Sequence, residues 1–253
     1  MKLQLTLLFA LLAHTFSSFS QKGVSIGVSG GFVNQFSTIN SFYGNGNKSI
    51  QNSAQTYTAG LDLGYSFNDV YTLRLGGNIF NFTNAIRFNN KLENWVPTTF
   101  DRKSVTAVPV GQLQITNDVV FYKKNKFSIA GLLGLNLNFI RDKTYNQPTE
   151  TYSVDVMDVT WTLYYGGDTY NTSKVNFQLL GGLSFNYVLG KKLELFVSPK
   201  FYFGLNYATK RDISGFYQYN EPVIGAELYS SISKGDAVAA IAGLRFKFLK
   251  NIE

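Results

Sequence analysis

The sequence predicts an all-β fold: an eight-stranded antiparallel transmembrane up-and-down β-barrel, with short periplasmic turns and long extracellular loops. Three observations carry that expectation. Apolar residues recur at every second position over long segments, and no convincing 3.6-residue period follows Gln21. The connections between these segments alternate between short and long, as in outer-membrane barrels. The composition, with 22 Phe, 16 Tyr and 23 Gly against 15% charged residues, is that of an aromatic, glycine-rich β chain.

The first segment is of a different kind. MKLQLTLLFALLAHTFSSFS has one Lys2, an apolar run from Leu3 to Ala13, and small residues at Ser18 and Ser20. This is the form of a cleaved secretory signal peptide, since a membrane helix needs roughly 20 apolar residues. Cleavage is expected between Ser20 and Gln21, leaving 21–253 as one outer-membrane barrel domain. No cysteine at that junction can take a lipid.

Removing residues 1–20 also removes His14, the only histidine, and the chain has no cysteine. Neutral-pH general bases, activated serines and zinc sites are built mainly from those two residue types. Hydrolytic and metal-dependent chemistry of the commonest kinds is therefore not expected, nor is a metal site. The net charge of +7 is scattered rather than clustered, which argues against a nucleic-acid partner. Solvated turns and anionic lipid headgroups account for it better.

The strands follow in order. Val24 to Phe32 sets Val24, Ile26, Val28 and Phe32 opposite Ser25, Gly27, Ser29 and Gly31. Tyr57, Ala59, Leu61, Leu63 and Tyr65 then share a face, and after the Asn68-Asp69 turn so do Tyr71, Leu73, Leu75, Gly77 and Ile79. Val105 to Ile115 is less regular, and Pro109, which lacks a ladder donor, is expected to bulge or bend it. Phe127 to Phe139 follows a lysine turn, Lys123 to Lys126. Lys174 to Leu189 and the segment from Leu193 to Tyr207 flank the Gly190-Lys191-Lys192 turn. Val238 to Phe248 closes the set. Long loops are expected at about 35–55, 83–104, 141–174 and 208–236, the third containing an extended hairpin.

The second face of these strands separates a membrane barrel from a soluble one. A soluble carrier keeps an apolar interior and a charged exterior, whereas here the second face is Gly, Ser, Asn, Thr and Gln with few charges. That is a small polar lumen. In lipid every backbone polar group needs a partner, and closing the sheet provides one without an edge.

The inward charges are Asp62, Arg74, Glu194, Lys200, Arg245 and Lys247. Asp62 and Arg74 lie at similar distances from the Asn68 turn, and Glu194 begins one strand where Lys247 ends the next. Antiparallel pairing should bring each couple together, giving a lumen filled by ion pairs and hydrogen bonds. Tyr-rich stretches such as Gly215 to Glu221 offer a surface for a protein or glycan partner at the extracellular loops.

With the strands placed, TAVPVGQLQI (Thr106 to Ile115), the lysine turn, FSIAGLLGLNL (Phe127 to Leu137) and a glycine-aromatic final strand resemble the PorT-like, porin-family outer-membrane β-barrels of Bacteroidota. The resemblance implies an integral protein of the Gram-negative outer membrane with eight strands, no catalysis and no cofactor. It leaves two functions open. One is a structural or surface-interaction barrel, comparable to an OmpA-type membrane domain without a periplasmic domain. The other is a component of a transport or protein-secretion machine. Gly243, Leu244, Phe246 and Phe248 also resemble the C-terminal signal read by the barrel-assembly machinery, although five residues follow Phe248. In that strand Arg245 and Lys247 are expected to face inward, because on the lipid face each would cost roughly 2 to 4 kcal/mol at mid-membrane.

Overall fold

The structure, a computed structural model, describes residues 23–43, 50–51, 53–91, 99–141, 145–156, 159–190, 192–219 and 223–249. The expected signal peptide, its Ser20–Gln21 junction and residues 250–253 lie outside the described residues.

Strands β1 (Gly23–Phe36), β2 (Thr38–Tyr43), β3 (Ile50–Gln51), β4 (Ser53–Ser66) and β5 (Tyr71–Lys91) come first. They are followed by β6 (Thr99–Lys124), β7 (Phe127–Ile140), β8 (Tyr145–Val156), β9 (Val159–Asn171) and β10 (Val175–Val188). The last four are β11 (Leu193–Gly204), β12 (Thr209–Tyr219), β13 (Val223–Ser233) and β14 (Ala237–Leu249).

Eight of them close a barrel in the order β5-β4-β1-β14-β11-β10-β7-β6, with β6 returning to pair with β5. Each barrel pairing is antiparallel. The register runs from Glu194 through Arg245, Gly27, Asp62, Gly76, Gln114, Asn136 and Gln178 to Gly204. It therefore returns to β11 ten residues further along, a stagger that tilts the strands and sets an interior only wide enough for side chains.

Three short turns lie at one end. At Phe67 to Val70 the Asn68 Oδ1 accepts from the backbone N–H of Val70 at 2.9 Å and of Tyr71 at 2.7 Å, so an Asx turn replaces a backbone one. Asn125 takes the left-handed conformation at φ 54° that its tight turn requires. At the third, the Leu189 N–H bonds the Leu193 carbonyl at 2.9 Å; Lys191 lies outside the described residues.

The other end differs from the expected loops. Most of those connections are strand: β5 is 21 residues and β6 is 26, and their hairpin pairs as far as Lys91↔Thr99. A second antiparallel sheet, in the order β2-β13-β12-β9-β8, includes the hairpin expected within 141–174. Its strands join the barrel's directly, β1 leading into β2, β9 into β10, β11 into β12 and β13 into β14. Backbone bonds from Phe36 N to Asp236 O and from Ala208 N to Ser233 O tie it down.

Pro109 does not bulge β6, correcting the expectation. It pairs in register with Asn81 of β5, one residue past Val110↔Ile140, the last pair with β7. There β6 has a neighbour on one side only, where proline is tolerated. The irregularity falls instead at Val120/Tyr122.

At the height of Pro109 the wall also splits. Pairing of β4 with β5 stops at Ala59↔Ile79. Beyond it the β5–β6 hairpin leaves the wall and folds inward across the mouth. Thr83, whose place in the alternation faces outward, is only 5% exposed. Its N–H bonds Gln35 Oε1 at 2.7 Å and its hydroxyl bonds the Ala54 carbonyl at 3.2 Å. Phe82, Val108, Val110, Ile140 and Ala208 pack into an apolar cluster beneath the fold.

Candidate functional site: the barrel interior

Alternation decides which side chains enter the lumen. Even-numbered positions on β4, β5, β6, β7, β10 and β11, and odd-numbered positions on β1 and β14, are the buried ones. On the turn side this brings six charges into one chain that alternates in sign. Arg74 Nε bonds Asp118 Oδ2 at 2.5 Å, and Arg74 Nη1 reaches Asp62 Oδ1 at 3.1 Å and Ser25 Oγ at 3.2 Å. Arg245 Nε lies 3.9 Å from the same Asp62 oxygen, and its Nη1 donates to Glu194 Oε1 at 3.2 Å and Asn186 Oδ1 at 3.0 Å. Lys247 completes the chain on Glu194 Oε2. The order is Asp118, Arg74, Asp62, Arg245, Glu194, Lys247.

Glycines make the room. A Cβ at Gly64 would stand 2.5 Å from Arg74 Nη1, and one at Gly27 would stand 2.8 Å from the carboxyl carbon of Asp62. Gly243 does the same for Phe196, whose ring atoms would lie 2.7 Å from a Cβ there. That ring in turn carries the Arg245 guanidinium 3.8 Å above its centroid, a cation–π contact in a buried site.

Lys200 stands apart. It lines a cavity of about 30 Å³ together with Asp62, Arg74, Asp118 and Arg245, with no ion pair among the described residues. That volume holds about two water molecules. Asp118 Oδ1 and Arg245 Nε, both without a hydrogen-bond partner, are polar groups such water would serve.

Towards the loop side the lining changes to amides. Asn78 Nδ2 donates to Gln112 Oε1 at 2.9 Å, Gln112 Nε2 to Asn138 Oδ1 at 2.8 Å, and Asn138 Nδ2 to Asn176 Oδ1 at 2.9 Å. Gln178 Nε2 closes on the Gly235 carbonyl at 2.6 Å. Above the barrel, Tyr170 donates to Asp212 Oδ2 at 2.7 Å and Lys210 lies 3.2 Å from the same oxygen. Burial works against the charge of Asp212, but the Tyr170 hydrogen bond and the Lys210 ammonium outweigh it and hold the carboxyl below its ordinary value.

All six sequence-predicted charges therefore sit inside, five of them in the chain and Lys200 beside it. Asp118 is the member that sequence reasoning misses. Its strand is expected to end at Ile115, yet the inward alternation continues through Thr116 to Asp118, past the polar outward position Asn117. The positions Leu244, Phe246 and Phe248 face outward, with the last two rings edge-to-face at 5.0 Å. Gly215 to Tyr219 belong to β12, and Asn220 and Glu221 lie outside the described residues.

These features define a class: a closed eight-stranded antiparallel barrel with a filled, polar interior. No protein-family model matches the chain, and a comparison with curated proteins finds no match. Among solved structures it is similar to the outer membrane protein OprG from Pseudomonas aeruginosa, at 16% identity over 90% of this chain and 98% of that one, with a TM-score of 0.45. A major outer membrane protein from Thermus thermophilus gives 11% identity over 90% and 100%, with a TM-score of 0.44. Ail, the attachment invasion locus protein of Yersinia pestis, gives 11% over 90% and 100%, with a TM-score of 0.32.

Proposed function

We propose that the protein is an integral outer-membrane β-barrel, exported by a signal peptide cleaved after Ser20, with a structural or surface-interaction role and no catalytic activity. One observation carries the reading: the sidedness is inverted relative to a soluble protein. Leu61 is 63% exposed, Leu133 71% and Phe201 63%, whereas Arg74, Glu194 and Arg245 are under a tenth exposed. A continuous apolar exterior of this size suits hydrocarbon rather than water. The second sheet then stands above the membrane as the surface presented to a protein or glycan partner. The placing within Bacteroidota rests on the sequence resemblance alone.

Two measurements test this. Unboiled and boiled membranes should give bands of different mobility on SDS gels, and identical mobility would count against a membrane barrel. In a planar bilayer the purified protein should carry no large steady current, because cavities of about 30 Å³ and about 10 Å³ in the lumen admit water and not a hydrated solute. A large sustained conductance would sink the filled-lumen reading. As an assembly signal, the final strand makes its own prediction: Phe248→Ala should lower the yield of folded barrel, and deletion of the last five residues should leave it unchanged.

A further inference from the structure

Where the β5–β6 hairpin turns inward, the outer wall is left with a dent. Its floor is Ile79, Pro109 and Gly111, and Tyr57 of β4 and Phe139 of β7 form its flanks. The volume is about 790 Å³, within the range of small-molecule sites. The dent faces outward: Tyr57, Ile79 and Phe139 are each more than half exposed. It is continuous with the apolar belt of Leu133, Leu135 and Phe139 along β7.

That belt ends at Arg141, the next outward position, which also lines the dent. The Arg141 carbonyl accepts from Asn171 Nδ2, so its backbone is anchored to the base of the second sheet. Its exposed guanidinium forms no ion pair among the described residues. An outward-facing apolar recess, with an arginine at its rim that forms no ion pair among the described residues, fits an amphiphile with an anionic head.

We infer that this dent binds one anionic, phosphate-bearing lipid of the outer leaflet, an acyl chain lying over Gly111 and Pro109 and a phosphate held by Arg141, and phosphatidylglycerol is the probe for that chemistry. The inference rests on the membrane reading above. A straight wall would meet lipid through averaged contacts only, whereas a recess fixes one chain in place and the arginine selects its head. The inward hairpin creates the site, so lipid bound there would also brace the hinge at which the wall splits.

Gly111 allows a clean test. A Cβ at this position meets nothing within 4 Å, so the side chain of Gly111→Phe starts into the recess without a clash at its Cβ. Gly181 is equally open on β10, away from the dent, and Gly181→Phe is the control. The full mature chain, folded in dodecyl maltoside with dioleoylphosphatidylglycerol or dioleoylphosphatidylcholine, is followed by native mass spectrometry. Wild type and Gly181→Phe should retain one phosphatidylglycerol, favoured roughly tenfold over phosphatidylcholine, whose choline cation beside the same phosphate offsets the attraction of Arg141. Gly111→Phe should lose the retained lipid, and Arg141→Gln should keep a lipid without the preference. Equal retention by wild type and Gly111→Phe, no retention by wild type, or an unchanged preference in Arg141→Gln would overturn the site. Heat-modifiable mobility of each sample keeps the two readings apart: a wild type that never folds into detergent or vesicles overturns the membrane reading and the site together. One that folds but ignores these substitutions overturns the site alone.

Discussion

On the turn side of the barrel the interior is an alternating chain of six charges from Asp118 to Lys247, whereas on the loop side it is amides capped by Phe82, Val108 and Ile140. Both halves fill the same width, and both bury polar atoms. They differ in what happens when one member is removed. An amide that loses its partner leaves a neutral dipole unsatisfied; a buried charge that loses its partner leaves an ion in a site of low dielectric.

The largest effect is therefore expected at Arg74, which holds both Asp62 and Asp118. Arg74→Met should destabilise the barrel by about 3 to 5 kcal/mol, since it leaves Asp118 buried without a cation and Asp62 with only the 3.9 Å contact to Arg245. Urea unfolding in lipid vesicles measures this. Replacing both carboxylates as well, in Arg74→Met with Asp62→Leu and Asp118→Leu, should recover most of the loss, because an apolar set of similar volume carries no desolvation penalty. If the triple variant is no more stable than the single one, the chain matters as a unit and not through unpaired charge.

On the loop side, Asn138→Leu removes the acceptor of Gln112 Nε2 and the donor to Asn176 Oδ1. The expected loss in the same assay is about 1 to 3 kcal/mol. A loss equal to that of Arg74→Met would erase the distinction between the halves.

The turn-side half is far more legible in the sequence than the loop-side half. Alternation fixes which positions face inward, and distance from a short turn fixes depth. Asp62 and Arg74 can thus be paired by counting from Asn68, and Glu194 and Lys247 by counting from the turn between β10 and β11. The same counting reaches Asp118 only if β6 is allowed to pass the polar Asn117, and one outward asparagine hides the first member of the network. The loop side depends on contacts between segments distant in sequence: Gln35 to Thr83, Gln178 to Gly235, Thr106 to Thr169. No local periodicity records these, so in sequence the inward fold of the hairpin and the second sheet look like loops. Pro109 does flag an unusual place in β6, although its meaning is the loss of a neighbouring strand and not a bulge.

The smallest effect sharpens the comparison from outside the barrel. Lys123 and Asp69 join two of the short turns at 3.3 Å, closely similar in geometry to Arg245 and Glu194 at 3.2 Å. Their side chains are 57% and 53% exposed, against 5% and 6% for the interior pair. Water already solvates each turn charge, and salt screens the attraction between them. Lys123→Gln should change stability by less than about 1 kcal/mol, and that small difference should vanish in high salt. Arg245→Gln should cost several times more and respond little to salt, because its partners have no solvent to fall back on. If both substitutions gave the same loss and the same salt dependence, the interior pairs would be solvated like those of the turns, and water would have to reach Glu194 through a lumen wider than the side chains leave.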